Sequence, residues 1–380
     1  MTDRLSQVLS PIGLVPFFER YWAKEHLHVS RSSSGYYDGI LSAGDLDRLF
    51  ESEQLPASFF HVIKNGVTHH PEEWSRLATA KMGEQRVALP ERLFDLYSNG
   101  ATLILNQAHH AIPALGLACR EIACELGFPS RANIYAAPPE AEGFSRHTDP
   151  HEILILQISG TKFWLLYPED GEAVEIKLCA GDLLYLPRNL AHAARTHKDA
   201  SIHVSLGLQP VYGFRLMEEL AAMAEDHPGF QQPVPPRLAG REARRLFEAQ
   251  FVQNLRDLAM EATLPCELIE RRFQSLVETQ SIGWAGRFSD LSRMEEMTAA
   301  TVVCARAGIV RAIEDDGKFL TVRFSGNQIH LPKFLKSCLD RILGDTPFAI
   351  GEMQGMASEP DKLALARKFV RTGFLAIVRI

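Results

Sequence analysis

The sequence has no long apolar run and few cysteines, and both absences restrict the kind of protein that it encodes. No stretch of the 380 residues approaches the roughly 18 apolar residues that a membrane-spanning helix needs. The six cysteines are scattered without a Cys-x-x-Cys pair, which indicates reduced thiols rather than a disulfide framework. The first eleven residues contain no recognisable secretion signal. We therefore expect a cytoplasmic protein without a membrane partner.

A strong charge of one sign is also absent, since 40 lysines and arginines face 47 aspartates and glutamates. The formal net charge of −7 gives no whole-chain reason to expect nucleic-acid binding. Residues 300–380 differ, with twelve basic against eight acidic side chains. Such a tail is most often a solvated surface and only weak evidence for an anionic partner. We expect nucleic-acid binding to be absent or indirect.

Signatures of several common enzyme classes are missing as well. The sequence has no Gly-x-Ser-x-Gly elbow, no P-loop, no Gly-x-Gly-x-x-Gly opening a helix and no His-Glu-x-x-His. A cysteine–histidine nucleophile pair stays open, although no spacing points to one. The content of 46% apolar and 23% charged residues is ordinary for a globular protein, and the length predicts two or three domains.

The first half of the chain is rich in predicted strands. Helices are predicted at 14–25, 42–51 and 111–126, the last ending at Gly127. Beyond them, Gly and Pro separate short apolar runs, a texture typical of a sandwich or jelly-roll barrel. Ser159-Gly160 predicts a tight hairpin turn between two of these runs. We expect residues 1–210 to form one β-rich domain, with strands at 26–30, 59–68, 102–106, 132–137, 152–158, 162–167, 182–186 and 201–208.

The second half changes to helical periodicity and then to a mixed pattern. Apolar residues recur at helical spacing in 236–263 and again in 267–280, and these faces either pack within the chain or form a dimer contact. From residue 301, strands at 309–313 and 319–324 flank Asp315-Asp316-Gly317. Helices follow at 332–343 and 358–372, with a strand at 374–378. Helices with a two-stranded wing predict a winged-helix module.

Three residues in the strand-rich half form a candidate metal site. His147 and Asp149 are two positions apart, so on an extended backbone both side chains leave the same face. His192 follows a predicted strand and a turn closed by Pro187, which would direct it inwards. Two imidazoles and one carboxylate make the facial triad of non-haem Fe(II) oxygenases, which leaves positions open for a co-substrate and O2, although the same ligands bind other divalent metals.

Further polar residues are predicted on the walls of the same barrel. Lys162 lies in an apolar run and needs an anionic partner, because unpaired burial would cost several kcal/mol or lower its pKa. A dicarboxylate co-substrate would supply that partner; the alternative is an edge lysine that reaches solvent. Asn133 and Tyr135 share one strand face, unless they are ordinary satisfied polar groups. Seven further histidines are expected behind the site, in turns or at the surface: His69, His70, His109, His110, His151, His197 and His203.

Taken together, these motifs resemble the JmjC-type ribosomal oxygenases, a family of cupin-like protein hydroxylases. The resemblance rests on segments 17–30, 133–139, 160–164 and 181–192 together with the His147-x-Asp149 motif. It implies an α+β protein with a double-stranded β-helix (jelly-roll, cupin) domain at 1–210. It further implies a helical dimerisation region at 211–295, hence a homodimer, and a winged helix at 296–380.

The same resemblance implies the chemistry. Fe(II) would be held by His147, Asp149 and His192, which are then the catalytic centre. The co-substrate 2-oxoglutarate would chelate the metal with its far carboxylate on Lys162, and O2 would complete the reaction. Asn133, Tyr135 and Ser205 would line the co-substrate or peptide site, and the product would be a hydroxylated side chain of a protein or peptide. Ser145-Arg146 and Pro150-His151 depart from the family pattern at the rim, which leaves the substrate unidentified.

Three other functions remain open from the sequence. The chain could be a tailoring hydroxylase of a ribosomally made peptide, which would share the same site. It could be a non-catalytic cupin in which a metal braces a binding surface. A cupin isomerase or lyase is disfavoured, because such a site has no evident use for Lys162.

Overall fold

The computed structural model describes residues 3–31, 33–51, 55–80, 83–169, 171–261, 264–356 and 358–380. Its α helices, α1 to α11, are Arg4–Leu9, Leu14–Pro16, Ala43–Phe50, Pro90–Ser98, Pro113–Leu126, Gly213–Asp226, Arg241–Glu261, Leu264–Thr279, Arg287–Arg293, Lys336–Ile342 and Glu359–Thr372. Its β strands, β1 to β18, are Leu27–Val29, Phe60–Lys64, Val67–Thr68, Ser75–Ala80, Gly83–Ala88, Thr102–Leu105, Ser130–Ala137, Glu152–Tyr167, Val174–Cys179, Leu183–Leu186, Ala191–Arg195, Ser201–Leu208, Val302–Ala305, Arg311–Asp315, Phe319–Phe324, Asn327–Pro332, Phe348–Ala349 and Leu375–Arg379.

One long strand, β8, organises the barrel because it takes part in two sheets. Its first half pairs antiparallel with β10 and β12, and its second half pairs with β9 and β11. Gly160 marks the change of partners: its φ is +66°, and a Cβ there would lie 1.7 Å from the carbonyl oxygen of Ala200. Only glycine fits this corner. The predicted hairpin at Ser159-Gly160 is therefore wrong, since the chain bends there as a continuous strand.

The large sheet is antiparallel, with strand order β1-β10-β8-β12-β7-β6-β2-β3. Its register places Asn133 of β7 opposite Ser205 of β12, and Tyr135 opposite His203. Because side chains alternate along a strand, these four residues share the inner face of the barrel wall. The expected β-rich, jelly-roll-like fold is confirmed. Strands β4, β5, β9 and β11, and helix α4, lie in stretches where no element was predicted.

The main apolar core lies between this sheet and the N-terminal helices, with Leu9, Phe17 and Leu115 fully buried against β-strand residues such as Leu206. Two predicted helix ends here are confirmed. Ser42 and Asp45 form a capping box at the start of α3, and Gly127 ends α5 in the left-handed conformation. The predicted helix at 14–25 is shorter: α2 continues as one π-helical segment, Phe17–Tyr21.

Residues after the barrel form helices and then two small sheets. Helices α6, α7 and α8 confirm the helical periodicity, although α7 begins at Arg241 and the end of the predicted 236–263 helix lies outside the described residues. Its apolar stripe is only partly covered, since Leu258 is buried while Phe251 is exposed. No described helix combines the length and apolar character that crossing a membrane requires.

A second apolar core lies within the C-terminal part, where Phe324, Phe369 and Phe374 are fully buried. Strands β14 and β15 flank the predicted turn, and β16 adds a third strand that was not predicted. Helix α11 starts at the predicted position, where the Ser358 side chain accepts a hydrogen bond from the Asp361 N–H, and ends at Gly373.

Candidate metal centre and its cavity

His147 and His192 face each other across a short antiparallel bridge. The backbone N–H of His147 donates to the His192 carbonyl at 3.1 Å, and the N–H of His192 donates to the His147 carbonyl at 2.9 Å. His192 lies on β11, paired with the second half of β8. Asp149 is fixed nearby, because its carbonyl accepts from the Asn189 N–H at 2.8 Å. The potential ligand atoms of the three residues all lie within 4.8 Å of one another.

Hydrogen bonds orient both imidazoles towards a common point. The Nδ1 atom of His147 lies 2.9 Å from the Ser145 carbonyl oxygen, and that of His192 lies 2.9 Å from the Leu190 carbonyl oxygen. A carbonyl only accepts, so these contacts assign the proton to Nδ1 and leave the Nε2 lone pair for a metal. Such a bond to the far ring nitrogen is usual for histidines that bind metals.

Asp149 is the third potential metal ligand and supplies a negative charge. Its Oδ2 atom lies 3.4 Å from Nε2 of His192 and 3.8 Å from Nε2 of His147. Burial acts to raise the pKa of Asp149, but the adjoining histidines, His192 first and then His147, outweigh it and lower that pKa. The carboxylate is therefore ionised when a metal binds. Two neutral imidazole nitrogens and one carboxylate oxygen suit a divalent transition metal such as Fe(II).

The three side chains open into a cavity of about 430 Å³. The structure brings the other four predicted site residues into the lining of this same cavity: Asn133, Tyr135, Lys162 and Ser205. Burial, followed by the charge of Asp149, raises the pKa of Tyr135 to about 12, so its hydroxyl keeps its proton. The Asn133 Oδ1 atom accepts from the Gln107 N–H at 2.8 Å, which leaves its NH2 group to donate elsewhere.

Lys162 is buried in the wall rather than extended to solvent, with only 3% of its surface exposed. It forms no hydrogen bond or ion pair with any residue that the structure describes. Burial lowers the pKa of Lys162 to about 8. The alternative of a solvated edge lysine is therefore wrong, and the predicted need for an anionic partner stands.

His203 lies in the cavity wall, where sequence reasoning had left it behind the site or at the surface. It is 2% exposed and stacks on the Tyr135 ring, with centroids 4.7 Å apart and planes 5° apart. Trp164 meets it edge-on at 5.4 Å. A signal was available in the sequence, because His203 is two residues before Ser205 on one strand and so shares its face.

The remaining histidines divide between cavity and surface. His151 lines the cavity beside Gly207, where a Cβ would lie 2.8 Å from the His151 Nε2 atom. His197 is exposed and packs on the Phe163 ring, as expected for a surface residue. His109 accepts a hydrogen bond from the Ala132 N–H and has a structural role.

Comparison with known proteins matches the part of the chain that contains the candidate metal site. Residues 107–175 and 169–215 match the model of the JmjC domain family. A relative from Drosophila pseudoobscura pseudoobscura, the bifunctional lysine-specific demethylase and histidyl-hydroxylase NO66, is 28% identical over 240 residues, covering 57% of this chain and 24% of its own length. The NO66 protein of Drosophila willistoni is 30% identical over 247 residues, covering 58% of this chain and 30% of its own.

Ribosomal oxygenase 1 of Danio rerio is 25% identical over 226 residues, covering 54% of this chain and 40% of its own. The chain thus spans less than half the length of these curated relatives. Among solved structures, the ribosomal oxygenase YcfD of Escherichia coli, in complex with cobalt and 2-oxoglutarate, has a TM-score of 0.54 at 16% identity, and the alignment covers 95% of this chain and 97% of that chain. Its complex with cobalt and succinic acid gives 0.55 at 17% identity over the same shares. The cupin-like JmjC fold is confirmed.

Proposed function

We propose, from this confirmed resemblance to the JmjC-type ribosomal oxygenases, that the protein is an Fe(II)- and 2-oxoglutarate-dependent oxygenase that hydroxylates a side chain of a protein or peptide. One observation carries the proposal: a three-residue metal site and a buried, unpartnered lysine line the same cavity. A metal alone would explain the first feature. Only a ligand with a second anionic group explains both.

The residues divide the work between metal, co-substrate and target. His147, Asp149 and His192 would hold the metal from one side and leave its other positions facing the cavity. Lys162 would bind the far carboxylate of 2-oxoglutarate, while Asn133, Tyr135 and Ser205 offer hydrogen bonds to the co-substrate or the peptide. When bound, Fe(II) and 2-oxoglutarate supply the oxidising chemistry that inserts one oxygen atom of O2 into a C–H bond, with succinate and CO2 as co-products. Trp164 and Ile155 contribute apolar surface to the cavity around these groups.

The comparisons support this assignment from two directions. The relatives are named for histidyl hydroxylation, lysine demethylation and ribosomal oxygenation. The similarly folded Escherichia coli protein is described in complex with cobalt and 2-oxoglutarate. That molecule has the second carboxylate that Lys162 would bind here. We propose a ribosomal protein or a short peptide as the substrate class.

The charge of the cavity favours hydroxylation over demethylation of lysine. Among the described residues that line it, Asp149 is the only carboxylate, and it belongs to the metal site. Arg131 and Lys162 add positive charge to the lining. A methylated lysine would carry a further positive charge into this space and find no free carboxylate to pair with. An uncharged target side chain avoids that cost.

We propose the same three-part division that the sequence predicted, with the catalytic domain at 1–210, a helical region at 211–295 and a winged-helix-like domain at 296–380. The helical region would join two copies into a homodimer. Large apolar side chains on its helices support this, since they are exposed in the single chain: Phe214, Met217, Leu246, Phe251 and Ile269. The role of the last domain would be docking or support.

The deciding experiment incubates the protein with Fe(II), 2-oxoglutarate and O2 in the presence of ribosomal proteins or peptides encoded by neighbouring genes. We expect succinate release that depends on one of these substrates, together with a mass gain of one oxygen atom on it. The Asp149→Ala variant is the matched negative control. Tight RNA binding without turnover of any substrate would contradict the proposal and favour a metal-braced binding module.

A further inference from the structure

We propose that His203 is the second residue of the co-substrate anchor, and that its neutral imidazole donates a hydrogen bond to the same far carboxylate that Lys162 binds. This inference rests on the proposed function. His203 is buried and lines the cavity without a hydrogen-bond partner among the described residues.

The two ring nitrogens of His203 lie in different surroundings. The Nδ1 atom of His203 is enclosed by protein and has no hydrogen-bond partner among the described residues. The Nε2 atom forms no hydrogen bond with the described residues either, but protein does not enclose it. His203 lines the cavity, so Nε2 is the nitrogen that faces the cavity. An enclosed N–H without an acceptor is costly, which favours the tautomer with its proton on Nε2. That tautomer presents a donor to the cavity.

The His203 imidazole lies near the Lys162 ammonium group and stays uncharged. Burial, followed by the nearby charge of Lys162, holds the pKa of His203 well below its usual range. The imidazole is therefore neutral beside the lysine, and the pair carries one positive charge rather than two. A carboxylate offers about four lone-pair sites, so one ammonium group leaves acceptor sites unused. A neutral N–H beside the ammonium satisfies another of them without adding charge repulsion.

Two aromatic neighbours hold the His203 ring in place. The stacking on Tyr135 and the edge contact with Trp164 hold the His203 ring from two sides, with interplanar angles of 5° and 74°. The backbone register fixes His203 opposite Tyr135 in the sheet. Turning the ring out of its plane would lose both contacts, so packing holds the plane in which the Nε2 edge meets the cavity. Such a pre-positioned donor binds a ligand without first losing side-chain entropy.

The test compares two ligands that differ only in the far carboxylate. The protein is loaded with Mn(II) under anaerobic conditions, so that no turnover occurs, and titrated with 2-oxoglutarate or with 2-oxobutanoate, which has no second carboxylate. The key variant, His203→Phe, keeps an aromatic ring for stacking but removes the donor. His203→Gln keeps a donor and serves as the rescue variant. Should the phenylalanine variant not fold, His203→Met carries the same expectation.

We expect His203→Phe to weaken 2-oxoglutarate binding about tenfold or more, the usual effect of losing a hydrogen bond to a charged group. Binding of 2-oxobutanoate and of Mn(II) should change by less than about twofold, and His203→Gln should recover most of the loss. Equal weakening of both ligands would overturn the inference and show a structural role. No binding of 2-oxoglutarate by the unaltered protein would overturn the proposed function itself, a distinguishable result.

Discussion

The two ends of the cavity satisfy their polar groups in opposite ways. At the metal end, backbone carbonyls hold the Nδ1 atoms of His147 and His192, and a backbone bridge joins the two residues. At the other end, Lys162 and His203 are just as firmly placed by packing, but the part of the chain that the structure describes provides no hydrogen-bond partner for either.

This difference shows how the free energy of binding is divided. The metal end is pre-organised by bonds that the folded chain already makes, so a metal meets donors whose orientation is fixed. The Lys162 end keeps a charged group in an apolar wall at a cost to the ligand-free protein. A dicarboxylate that binds there removes this cost, so affinity at that end derives partly from relief of an unfavourable ligand-free state.

The largest effect is expected from removing a ligand at the metal end. Asp149→Ala should lower metal affinity by at least about 100-fold, because even residues that only orient metal ligands change affinity by 10- to 100-fold. Turnover of 2-oxoglutarate should disappear with the metal. The measurement is metal content and titration of the purified protein, with the exposed Asp199→Ala as matched control. Full metal binding by the Asp149 variant would contradict the assignment of Asp149 as a metal ligand, and with it the contrast between the two ends of the cavity.

An intermediate effect is expected from pH, and only at the Lys162 end. With the pKa of Lys162 at about 8 in the ligand-free protein, the ammonium is present below this pH and lost above it. The dissociation constant for 2-oxoglutarate should therefore rise by about tenfold between pH 8 and pH 9.5, while that for 2-oxobutanoate stays nearly constant. Isothermal titration of the Mn(II)-loaded protein measures both. A parallel rise for both ligands would place the titration at the metal end instead.

The metal end is also the part of the site that local sequence patterns predict well. His147 and Asp149 share a face through simple alternation, and Pro187 signals the turn before His192. The hydrophobic flanks of Lys162 predict its burial for a similar local reason. None of these predictions requires knowing which distant strands pair with one another.

Other features depend on partners far along the chain, and sequence reasoning failed there. A glycine with positive φ suits both a hairpin and a barrel corner, and at Gly160 the close approach of Ala200 decides between them. His203 faces the cavity because β12 pairs with β7 and β8 in one particular register. A shift of one residue would turn it outwards, and nothing local to the segment fixes that register.

The sharpest test of the comparison is a gain in stability at the Lys162 end. Lys162→Met keeps the stem of the side chain and removes the buried charge, so the ligand-free protein should become more stable by about 1–3 kcal/mol near pH 7. The barrel should then unfold a few degrees higher in a thermal scan, whereas the exposed Lys198→Met should leave the midpoint unchanged. The same Lys162 variant should bind 2-oxoglutarate at least about tenfold more weakly.

The sign of this effect also predicts how it varies with pH. Folding lowers the pKa of Lys162 from 10.5 to about 8, so below pH 8 both folded and unfolded chains carry the charge and the folded chain bears the full cost. Between those two values the folded lysine is neutral while the unfolded one is still protonated, so the stability of the unaltered protein rises relative to the variant. The advantage of Lys162→Met should therefore shrink as pH rises from 8 to 10.5. A loss of stability would mean that Lys162 already has a partner in the ligand-free protein, and a constant advantage would mean that the gain does not come from removing the charge.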